Sequence, residues 1–408
     1  MADVLQIQLG GKRVGDITSL GGERSVFTFD EAYAADPRRP VLSLSFKSAT
    51  GELLRDQSPT RIKLLPYFSN LLPEGSLRTY LAERAGVKPM REFFLLSALG
   101  QDLSGAVTAT TPDGEPLHPS EPEEPLEDEP RREGPALRFS LAGVQLKFSA
   151  VEKAKGGLTI PARGVGGDWI VKLPSAAHAG VSENEYSMMS LAREVGIEVP
   201  QIELYGLDQV ANLPDGVGRL TGAAYAIRRF DRPGQGEKVH VEDFAQVFAI
   251  DPDDKYDRAS YRNIAQVVWR EAGESGLVEF VRRLVFNALI GNGDMHLKNW
   301  SLIYRDGVTA ELAPAYDFVS TIPYIPAEKA ALKVVSSKRW SDFDRNELSR
   351  MAAKAGLPER LVIAAALETV QRFRAIWAKE QMHLPMHDDV REAVELQLGR
   401  VPLAAAGA

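Results

Sequence analysis

The sequence predicts an α+β fold in which two β-rich regions precede a helical lobe. Residues 4–9 alternate between apolar and polar side chains, as a half-buried strand does. Residues 137–231 are rich in strand-like segments and contain one helical stretch, at 184–195. Beyond about Val241 the apolar residues recur at helical spacing. With 408 residues, 44% of them hydrophobic, the chain can bury two or three cores.

The first β-rich region begins with a predicted hairpin. The pair Gly10-Gly11 can adopt the positive φ of a tight turn, so a second strand is expected at 12–17. Residues 41–46 alternate again and predict a further strand. The helices expected in this region lie around 77–85 and 92–99.

Changes in composition divide the chain into five segments. The stretch 116–134 combines proline with acidic residues, which cannot bury a core and are typical of a mobile linker. The predicted segments are a β-rich N-terminal module with helices at 1–115, an acidic linker at 116–136, a β-rich lobe at 137–240, an α-helical lobe at 241–400 and a disordered tail at 401–408.

The helical lobe is predicted from apolar spacing. Leu277, Val281, Leu284 and Ala288 repeat at i, i+4, i+7 and i+11, and the helix that they define ends shortly before Asp294. Two further helices are expected at 347–355 and 359–379.

Composition excludes several classes of function. The formal net charge of −8 argues against a self-sufficient nucleic-acid binder, because such proteins concentrate Lys and Arg to displace phosphate counterions. The chain has no cysteine, which excludes disulfides, thiolate catalysis and Cys-ligated zinc. We find neither a secretory signal nor a run of about 18 uncharged apolar residues, and we therefore expect a cytoplasmic protein that is not embedded in a membrane.

Three polar side chains near the end of the long helix match a phosphoryl-transfer site. Asp294 can accept the proton of a hydroxyl and hold that hydroxyl in line with a γ-phosphate. Asn299 and Asp317 present hard oxygens to Mg²⁺. The alternative is that Asp294 and Asn299 are ordinary loop residues, since Asp, Asn and Gly are common in turns.

The segment between these side chains predicts their geometry. An Asp-Gly turn at 306–307 favours a tight reversal between apolar stretches at 301–304 and 308–312. Antiparallel pairing then returns Asp317 to the end where Asn299 lies. Neighbouring strands are roughly 5 Å apart, so oxygens of these two residues could share one small cation.

Two lysines upstream extend the candidate site. Residues 139–148 place Ser140, Gly143 and Lys147 in a predicted strand-turn-strand, where a glycine lets backbone N–H groups approach phosphate oxygens. A plain hairpin is the alternative. Lys172 lies in an apolar strand and is a candidate for the α- and β-phosphates, or it snorkels from a sheet edge. A β-rich lobe followed by a helical lobe is also the bilobal plan of kinases.

Three further positions have two interpretations each. Glu185, in the first turn of a helix, either pairs with Lys172 or complements the helix dipole. The lobe junction at 226–232 offers backbone groups to an adenine edge, with Phe230 packed on the ring, although an aromatic at a strand end is usually part of a core. His296 either contacts phosphate or nucleotide or is a structural histidine, and no second histidine lies at zinc-ligand spacing from it.

These residues together resemble the HipA family, the serine/threonine kinase toxins of bacterial toxin-antitoxin pairs. The motifs that carry the resemblance are Phe68-Ser69-Asn70-Leu71-Leu72-Pro73-Glu74-Gly75, Ser140-Leu141-Ala142-Gly143-Val144-Gln145-Leu146-Lys147, Ile170-Val171-Lys172-Leu173-Pro174, Asn184-Glu185-Tyr186, Arg229-Phe230-Asp231-Arg232, Gly293-Asp294 with Asn299, and Tyr316-Asp317. The resemblance implies a bilobal protein-kinase-like fold related to lipid kinases, with a small β-rich N-terminal module and an all-α C-terminal lobe.

The resemblance also implies a role for each site residue. Asp294 would accept the proton, Asn299 and Asp317 would hold Mg²⁺, and Lys172 would act in catalysis on the phosphates of ATP. The residues that would bind the nucleotide are Ala142, Gly143, Val144, Gln145, Leu146 and Lys147 over the phosphates, Arg228, Arg229 and Phe230 along the adenine, and also His296 and Tyr316. Ser140 would be autophosphorylated, and about two added charges beside a phosphate-binding loop would repel ATP.

The partners that the resemblance implies are proteins. Family members phosphorylate an aminoacyl-tRNA synthetase and are restrained by a HipB-like helix-turn-helix antitoxin, which carries them to operator DNA. The acidic balance of this chain fits a protein that reaches DNA only through such a partner. The sequence departs from the family pattern at Arg228, Met295 and Val319, and none of these departures removes a group that the chemistry needs.

Two other functions remain open at this stage. A weakly active or inactive kinase fold could act as a corepressor with the antitoxin, which the missing G-x-G-x-x-G motif and Val319 allow. A small-molecule phosphotransferase of the same broad fold is the other alternative. The Ser140 motif and the first module argue against it.

Overall fold

The computed structural model describes residues 3–117, 147–152, 157–161, 166–175, 177–213, 220–234, 236–326 and 329–405, except the side chain of Ser76. The described residues form an N-terminal module, a β-rich lobe and a helical lobe, each with apolar residues buried around its own elements. The predicted α+β class is confirmed. None of the helices among the described residues is both long and apolar enough to cross a membrane.

The N-terminal module is a five-stranded antiparallel sheet with short helices. Its strands are β1 (Val4–Leu9), β2 (Lys12–Gly21), β3 (Arg24–Phe29), β4 (Thr60–Arg61) and β5 (Val107–Thr110), in the order β4-β3-β2-β1-β5. Its helices are α1 (Glu31–Ala35), α2 (Pro66–Ser69), α3 (Gly75–Ala85) and α4 (Glu92–Leu99). The predicted hairpin is confirmed, with Gly10 and Gly11 both at positive φ, and so are α3 and α4.

The predicted strand at 41–46 is wrong. Leu44–Phe46 forms a 3-10 helix instead. The Ser43 side chain accepts a hydrogen bond from the Ser45 N–H, which favours a turn over a strand. The Glu242 carboxyl, far along the chain, takes hydrogen bonds from the Ser43 hydroxyl and the Leu44 N–H. A distant partner therefore overrides the alternating pattern, which still buries Leu42 and Phe46.

The β-rich lobe is a six-stranded sheet with one long helix against it. Its elements are β6 (Lys147–Glu152), β7 (Leu158–Thr159), β8 (Trp169–Lys172), α5 (Val181–Val195), β9 (Ile202–Gly206), β10 (Val210–Ala211) and β11 (Ala223–Arg228), with sheet order β10-β7-β6-β8-β11-β9. Strand β8 lies between β6 and β11. Lys172 is therefore not on an edge strand, and the snorkelling alternative is excluded.

The helical lobe contains a small sheet as well as helices. Its elements are β12 (His240–Asp243), α6 (Phe244–Val247), α7 (Tyr261–Ile290), β13 (Ser301–Tyr304), β14 (Glu311–Leu312), α8 (Arg345–Ala355), α9 (Glu359–Glu380), α10 (Asp388–Arg400) and α11 (Pro402–Ala405). The predicted hairpin is β13 and β14, and β12 adds a third strand, so this lobe is not all-α. The predicted strand at 308–312 is shorter than expected.

The predicted disordered tail is wrong over residues 401–405. Helix α11 buries Leu403 and Ala404, and the Leu403 N–H donates to the Phe343 carbonyl at 3.1 Å. Leu403 and Ala404 belong to the apolar core of the helical lobe, so burial offsets the entropy of ordering the tail. Residues 406–408, and the predicted linker from residue 118 on, lie outside the described residues.

Candidate active site

Helix α7 ends at the loop that carries the predicted catalytic acid. Gly291 adopts a left-handed φ of 66° at its C-cap and packs so closely on Ile322 that a Cβ would lie 2.6 Å from a side-chain carbon. The chain then turns through Asn292, whose side-chain oxygen accepts the Asp294 N–H at 3.1 Å. The Asn299 amide donates to the Asp294 carbonyl at 2.9 Å. Asp294 is thus held from both sides along the loop.

The second predicted acid, Asp317, is brought to the same loop. The side-chain amide of Asn292 donates to the Asp317 carbonyl at 3.1 Å, so one asparagine binds the segments of both acids. Asp317 has a positive φ of 58°, which Asp tolerates better than most residues. Sequence reasoning assigned no role to Asn292. Its place directly before Gly293-Asp294 was the available signal.

Lys172 joins the two lobes. Its ammonium contacts Glu185 of α5 at 2.6 Å and also contacts the Asp317 carboxylate. All three side chains are largely buried between β8, α5 and the segment after β14. The pairing of Lys172 with Glu185, one of two interpretations from the sequence, is therefore present in the structure.

Burial and charge separate the two acids of this triad. Burial opposes ionisation of Asp317, but Lys172 and Lys147 outweigh it and lower the pKa of Asp317 to about 2. Burial raises the pKa of Glu185, and the neighbouring Asp317 charge adds to that effect. Burial alone would lower the pKa of Lys172, but Asp317 and Glu185 together raise it. Asp317 is therefore a carboxylate, and Lys172 a cation, at neutral pH.

The site has oxygens that fit a magnesium ion. The Asn299 side-chain nitrogen donates to the Asp294 carbonyl, so the side-chain oxygen is the atom of this amide that could bind a cation. Asp317 supplies an ionised carboxylate. One carboxylate and one amide oxygen suit Mg²⁺, which usually keeps several waters. No group of three or more His, Asp or Glu side chains able to hold a metal occurs in the described part of the chain.

The His296 imidazole is buried. The residue is 2% exposed, and neither ring nitrogen forms a hydrogen bond with any of the described residues. Burial, with the nearby Lys255 charge, lowers the pKa of His296 to about 3, so the ring is neutral. An unsatisfied buried imidazole costs about 1–3 kcal/mol. A ligand that offers a hydrogen-bonding group here would offset that cost.

The lobe junction is arranged differently from its prediction in one respect. Phe230 lies 5.9 Å from the ring of Tyr316, and the Tyr316 hydroxyl bonds to Ser301 and to the Lys298 carbonyl. The Arg229 guanidinium does not line a cleft, because it is buried against Asp231 and Asp102. Arg228 is more exposed and lies 3.6 Å from Asp168. Contacts of backbone atoms at 228–230 with adenine stay a prediction.

Most of the predicted phosphate loop lies outside the described residues. This holds for Ser140, Ala142, Gly143, Val144, Gln145 and Leu146. Lys147, the last residue of the motif, begins β6 directly opposite Lys172. Its charge contributes to the lowered pKa of Asp317, which agrees with a position beside the cleft.

Several residues at the site were missed by sequence reasoning. The Tyr256 hydroxyl donates to the Asp294 carboxylate at 2.5 Å. Glu74, from the N-terminal module, contacts Lys255 and lies 3.2 Å from Lys298 in the catalytic loop. The only signal for Glu74 was its place in the motif at 68–75. Nothing in the sequence connected Tyr256 with Asp294.

Comparisons with known proteins identify the family. The family model "HipA N-terminal domain" matches residues 5–110, and "HipA-like C-terminal domain" matches residues 139–377. The chain is 53% identical to "Putative kinase Y4dM" of Sinorhizobium fredii, over 98% of this chain and 97% of that protein. It is 25% identical to "Serine/threonine-protein kinase toxin HipA" of Shewanella oneidensis, over 94% and 91% of the two chains.

A solved structure shows the same fold. A chain in the Shewanella oneidensis MR-1 complex of HipA, HipB and operator DNA superposes with a TM-score of 0.73 at 22% identity, covering 98% of this chain and 96% of that chain. The two family models together cover most of the sequence. The N-terminal model matches the N-terminal module, and the C-terminal model matches the β-rich lobe and much of the helical lobe. The chain therefore belongs to the HipA family.

Proposed function

We propose that this protein is an ATP- and Mg²⁺-dependent serine/threonine protein kinase. The observation that carries the proposal is the Lys172 ammonium, which bridges Glu185 of one lobe and Asp317 of the other beside the loop of Asp294. A buried cation between two acids in a cleft can exchange one acid for a phosphate. The names of the relatives, which include kinases and a serine/threonine-protein kinase toxin, support the same conclusion.

The residues divide the phosphoryl-transfer reaction between them. The oxygen of a serine or threonine hydroxyl attacks the γ-phosphorus, the bond to the β,γ-bridging oxygen breaks, and ADP leaves. Asp294 accepts the hydroxyl proton and orients the attacking oxygen. Lys172 contacts the phosphates from β8, and the neutral His296 offers a nitrogen to the nucleotide. The backbone of Arg228, Arg229 and Phe230, with the Tyr316 ring, binds the adenine side, and Ala142 to Lys147 lie over the phosphates.

Two residues would hold the metal. Asn299 would supply its side-chain oxygen and Asp317 its ionised carboxylate, which are oxygen ligands of the kind that a hard cation prefers. Bound Mg²⁺ would neutralise charge on the phosphate oxygens.

We further propose that the kinase is the toxin of a toxin-antitoxin pair in the cytoplasm. The solved complex of a chain with the same fold contains HipB and operator DNA, which supports a helix-turn-helix antitoxin as partner and indirect contact with DNA. An aminoacyl-tRNA synthetase is the proposed substrate, and Ser140 the proposed site of autophosphorylation. A net charge of −8 suits a protein that binds DNA through another chain.

The test is ATP-dependent phosphorylation by the wild-type protein and Asp294→Asn. We expect label on the protein or on an added aminoacyl-tRNA synthetase with ATP and Mg²⁺, and a loss of about 10²- to 10⁴-fold in rate for the variant, because the proton acceptor is removed. Asp306→Asn is the matched control. Asp306 lies in the exposed turn of the β13–β14 hairpin, and this variant should retain activity.

The same assay separates the alternatives. Turnover with a small-molecule acceptor and none with protein would favour a small-molecule phosphotransferase. A wild-type protein without phosphorylation that still represses its operator with the antitoxin would favour a corepressor. Intact mass before and after phosphatase treatment reports whether the protein, at Ser140 or at any other residue, carries phosphate.

A further inference from the structure

The Tyr256 side chain lies directly on the proposed catalytic acid. Tyr256 follows a 3-10 turn at Pro252–Asp254 and precedes α7. Its hydroxyl donates a hydrogen bond of 2.5 Å to the Asp294 carboxylate. A substrate hydroxyl must make this same bond to a proton acceptor, at about 2.6–3.2 Å, before it attacks phosphorus. The tyrosine therefore occupies one of the hydrogen-bonding positions on this carboxylate that an acceptor hydroxyl could use.

We propose that Tyr256 is a positioning and specificity residue whose hydroxyl holds the acceptor position on Asp294 until a protein hydroxyl displaces it. In this role Tyr256 keeps the carboxylate oriented and keeps water from serving as the acceptor. The proposal rests on the proposed kinase function and predicts that little ATP is hydrolysed when no protein acceptor is bound.

The tyrosine is fixed in this position by its surroundings. Its ring meets the ring of His296 edge-on, with centroids 5.0 Å apart, and the Lys255 ammonium lies 5.6 Å from the ring centroid. Its carbonyl accepts a hydrogen bond of 2.9 Å from Lys338. Lys255 is itself held by Glu74 of the N-terminal module. The hydroxyl is thus presented to Asp294 by a braced segment and not by a freely rotating surface side chain.

A second tyrosine near the same loop shows the contrast with a structural role. The Tyr261 hydroxyl donates to the Met295 carbonyl at 3.0 Å and is fully buried. A backbone carbonyl next to the acid has no part in proton transfer, so this bond only stabilises the loop. Tyr256, in contrast, is half-buried and bonds to the carboxylate that a substrate must reach.

The exchange of hydroxyls follows from their chemistry. A serine or threonine hydroxyl that replaces the phenol donates to Asp294 in its place, so the carboxylate keeps a hydrogen bond. Tyr256→Phe removes one oxygen and leaves the ring, which opens a space close to the size of a water molecule beside Asp294. A water molecule can then take the place of the phenol hydroxyl, donate to Asp294 and attack the γ-phosphate.

The experiment compares the wild-type protein, Tyr256→Phe and the matched control Tyr261→Phe. ADP formation in excess of the phosphate incorporated into the kinase itself is measured with Mg²⁺ and ATP alone, and phosphate transfer is measured with dephosphorylated casein as protein acceptor. We expect Tyr256→Phe to raise ADP formation without acceptor by about threefold to tenfold, with the KM for ATP unchanged. Tyr261→Phe should not raise it, because that hydroxyl does not touch Asp294.

The outcomes decide two separate questions. Suppose that Tyr256→Phe forms ADP at the wild-type rate or more slowly, with an unchanged melting temperature. Tyr256 is then not a placeholder, that is, a hydroxyl that holds the acceptor position on Asp294, while the kinase function stands. Phosphate found on Tyr256 itself also overturns it, since a placeholder must not be consumed. Wild-type protein that neither transfers phosphate nor hydrolyses ATP, with Asp294→Asn identical to it, overturns the proposed function and the role of Tyr256 with it.

Discussion

Buried acids lie where the helical lobe contacts the β-rich lobe and where it contacts the N-terminal module. The acids at the first contact are in ion pairs, whereas Glu242 at the second accepts hydrogen bonds from neutral groups. In the cleft toward the β-rich lobe, Lys172 lies between the charged or chargeable groups of Glu185 and Asp317. In the seam toward the N-terminal module, Glu242 takes hydrogen bonds from Ser43, from the Leu44 N–H and from the Tyr304 hydroxyl at 2.5 Å. No ion pair of Glu242 occurs among the described residues.

The difference separates a binding site from a permanent contact. Ionic contacts in the cleft can be exchanged, because a phosphate can replace a carboxylate on Lys172 and a metal ion can replace Lys172 on Asp317. In the seam, the Glu242 side chain is fully buried and its hydrogen-bond donors are neutral groups. Its surroundings therefore leave no access for a ligand. The replaceable charges around Lys172 therefore suit a site for a charged substrate, whereas the hydrogen bonds of Glu242 only hold two segments of the molecule together.

The largest effect is expected in the cleft, from Asp317→Asn. This variant removes the carboxylate that would hold Mg²⁺ and leaves Lys172 paired with Glu185, so phosphoryl transfer should fall by about 10³-fold with the fold retained. Phosphorylation rate and circular dichroism measure the two parts. The matched control is Glu311→Gln in β14, an exposed acid whose ion pair among the described residues is with Arg305, and it should change neither quantity. A fully active Asp317→Asn would contradict the assignment of this acid.

An intermediate effect is expected at the seam, from Glu74→Gln. Burial would raise the pKa of Glu74, but Lys298 and Lys255 lower it to about 2, so it is a carboxylate between two cations. Its loss leaves Lys255 without this partner and should lower the free energy of unfolding by about 1–3 kcal/mol. We also expect a reduced phosphorylation rate, because both lysines flank the catalytic loop. Urea unfolding and rate assays test this.

The control for Glu74→Gln is an exposed ion pair between the same two parts of the molecule. Lys63 and Asp253 form an exposed ion pair of 2.6 Å between the module and the helical lobe. Asp253→Asn should change the free energy of unfolding by less than about 1 kcal/mol. Equal effects of the two substitutions would show that Glu74 acts only as one more surface charge.

The smallest effect on phosphorylation is expected from Glu242→Gln, whose consequence is a pH dependence of stability. Burial raises the pKa of Glu242 to about 7, while hydrogen bonds from Ser43 and Tyr304 oppose the shift. The folded state thus holds this proton more tightly than the unfolded state, so its contribution is complete below about pH 4.5 and is lost as pH rises to about 7. By linkage the loss amounts to roughly 3 kcal/mol at most.

The measurement is the difference between wild type and Glu242→Gln in urea unfolding from pH 5 to pH 8. The amide keeps the shape of the side chain but does not titrate, so the wild type should lose stability relative to the variant as pH rises. Buried histidines such as His240 titrate in both proteins, and their effects cancel in the difference. A constant difference across this range would show that Glu242 is already ionised in the folded state.

Local sequence was sufficient for the parts of the site that lie close together in the chain. Asp294 and Asn299 are five residues apart, and an Asp-Gly turn brings back the segment of Asp317, so spacing and turn chemistry predicted their common loop. The strand of Lys172 and the helix of Glu185 were also predicted from periodicity. Whether these two side chains paired was open, because that depends on how the helix packs on the sheet.

The errors have a common physical origin. The segment at 41–46 alternates like a strand, but hydrogen bonds to Glu242, about two hundred residues away, hold part of it in a 3-10 helix. The tail at 401–405 lacks a strong periodic pattern, and burial against the helical lobe orders it. In both cases a contact with a distant segment outweighs local preference.

By itself the sequence determined which chemical groups are present and how neighbours along the chain are spaced: the two acids, the amide, the lysine strand and the hairpin that returns one acid to the other. Only the tertiary structure decided that Tyr256 bonds to Asp294, that Glu74 reaches the catalytic loop and that Asp317 is ionised while Glu185 tends to hold its proton. Spacing is fixed by covalent geometry, whereas ion pairing and proton affinity depend on burial and on charges supplied by distant segments.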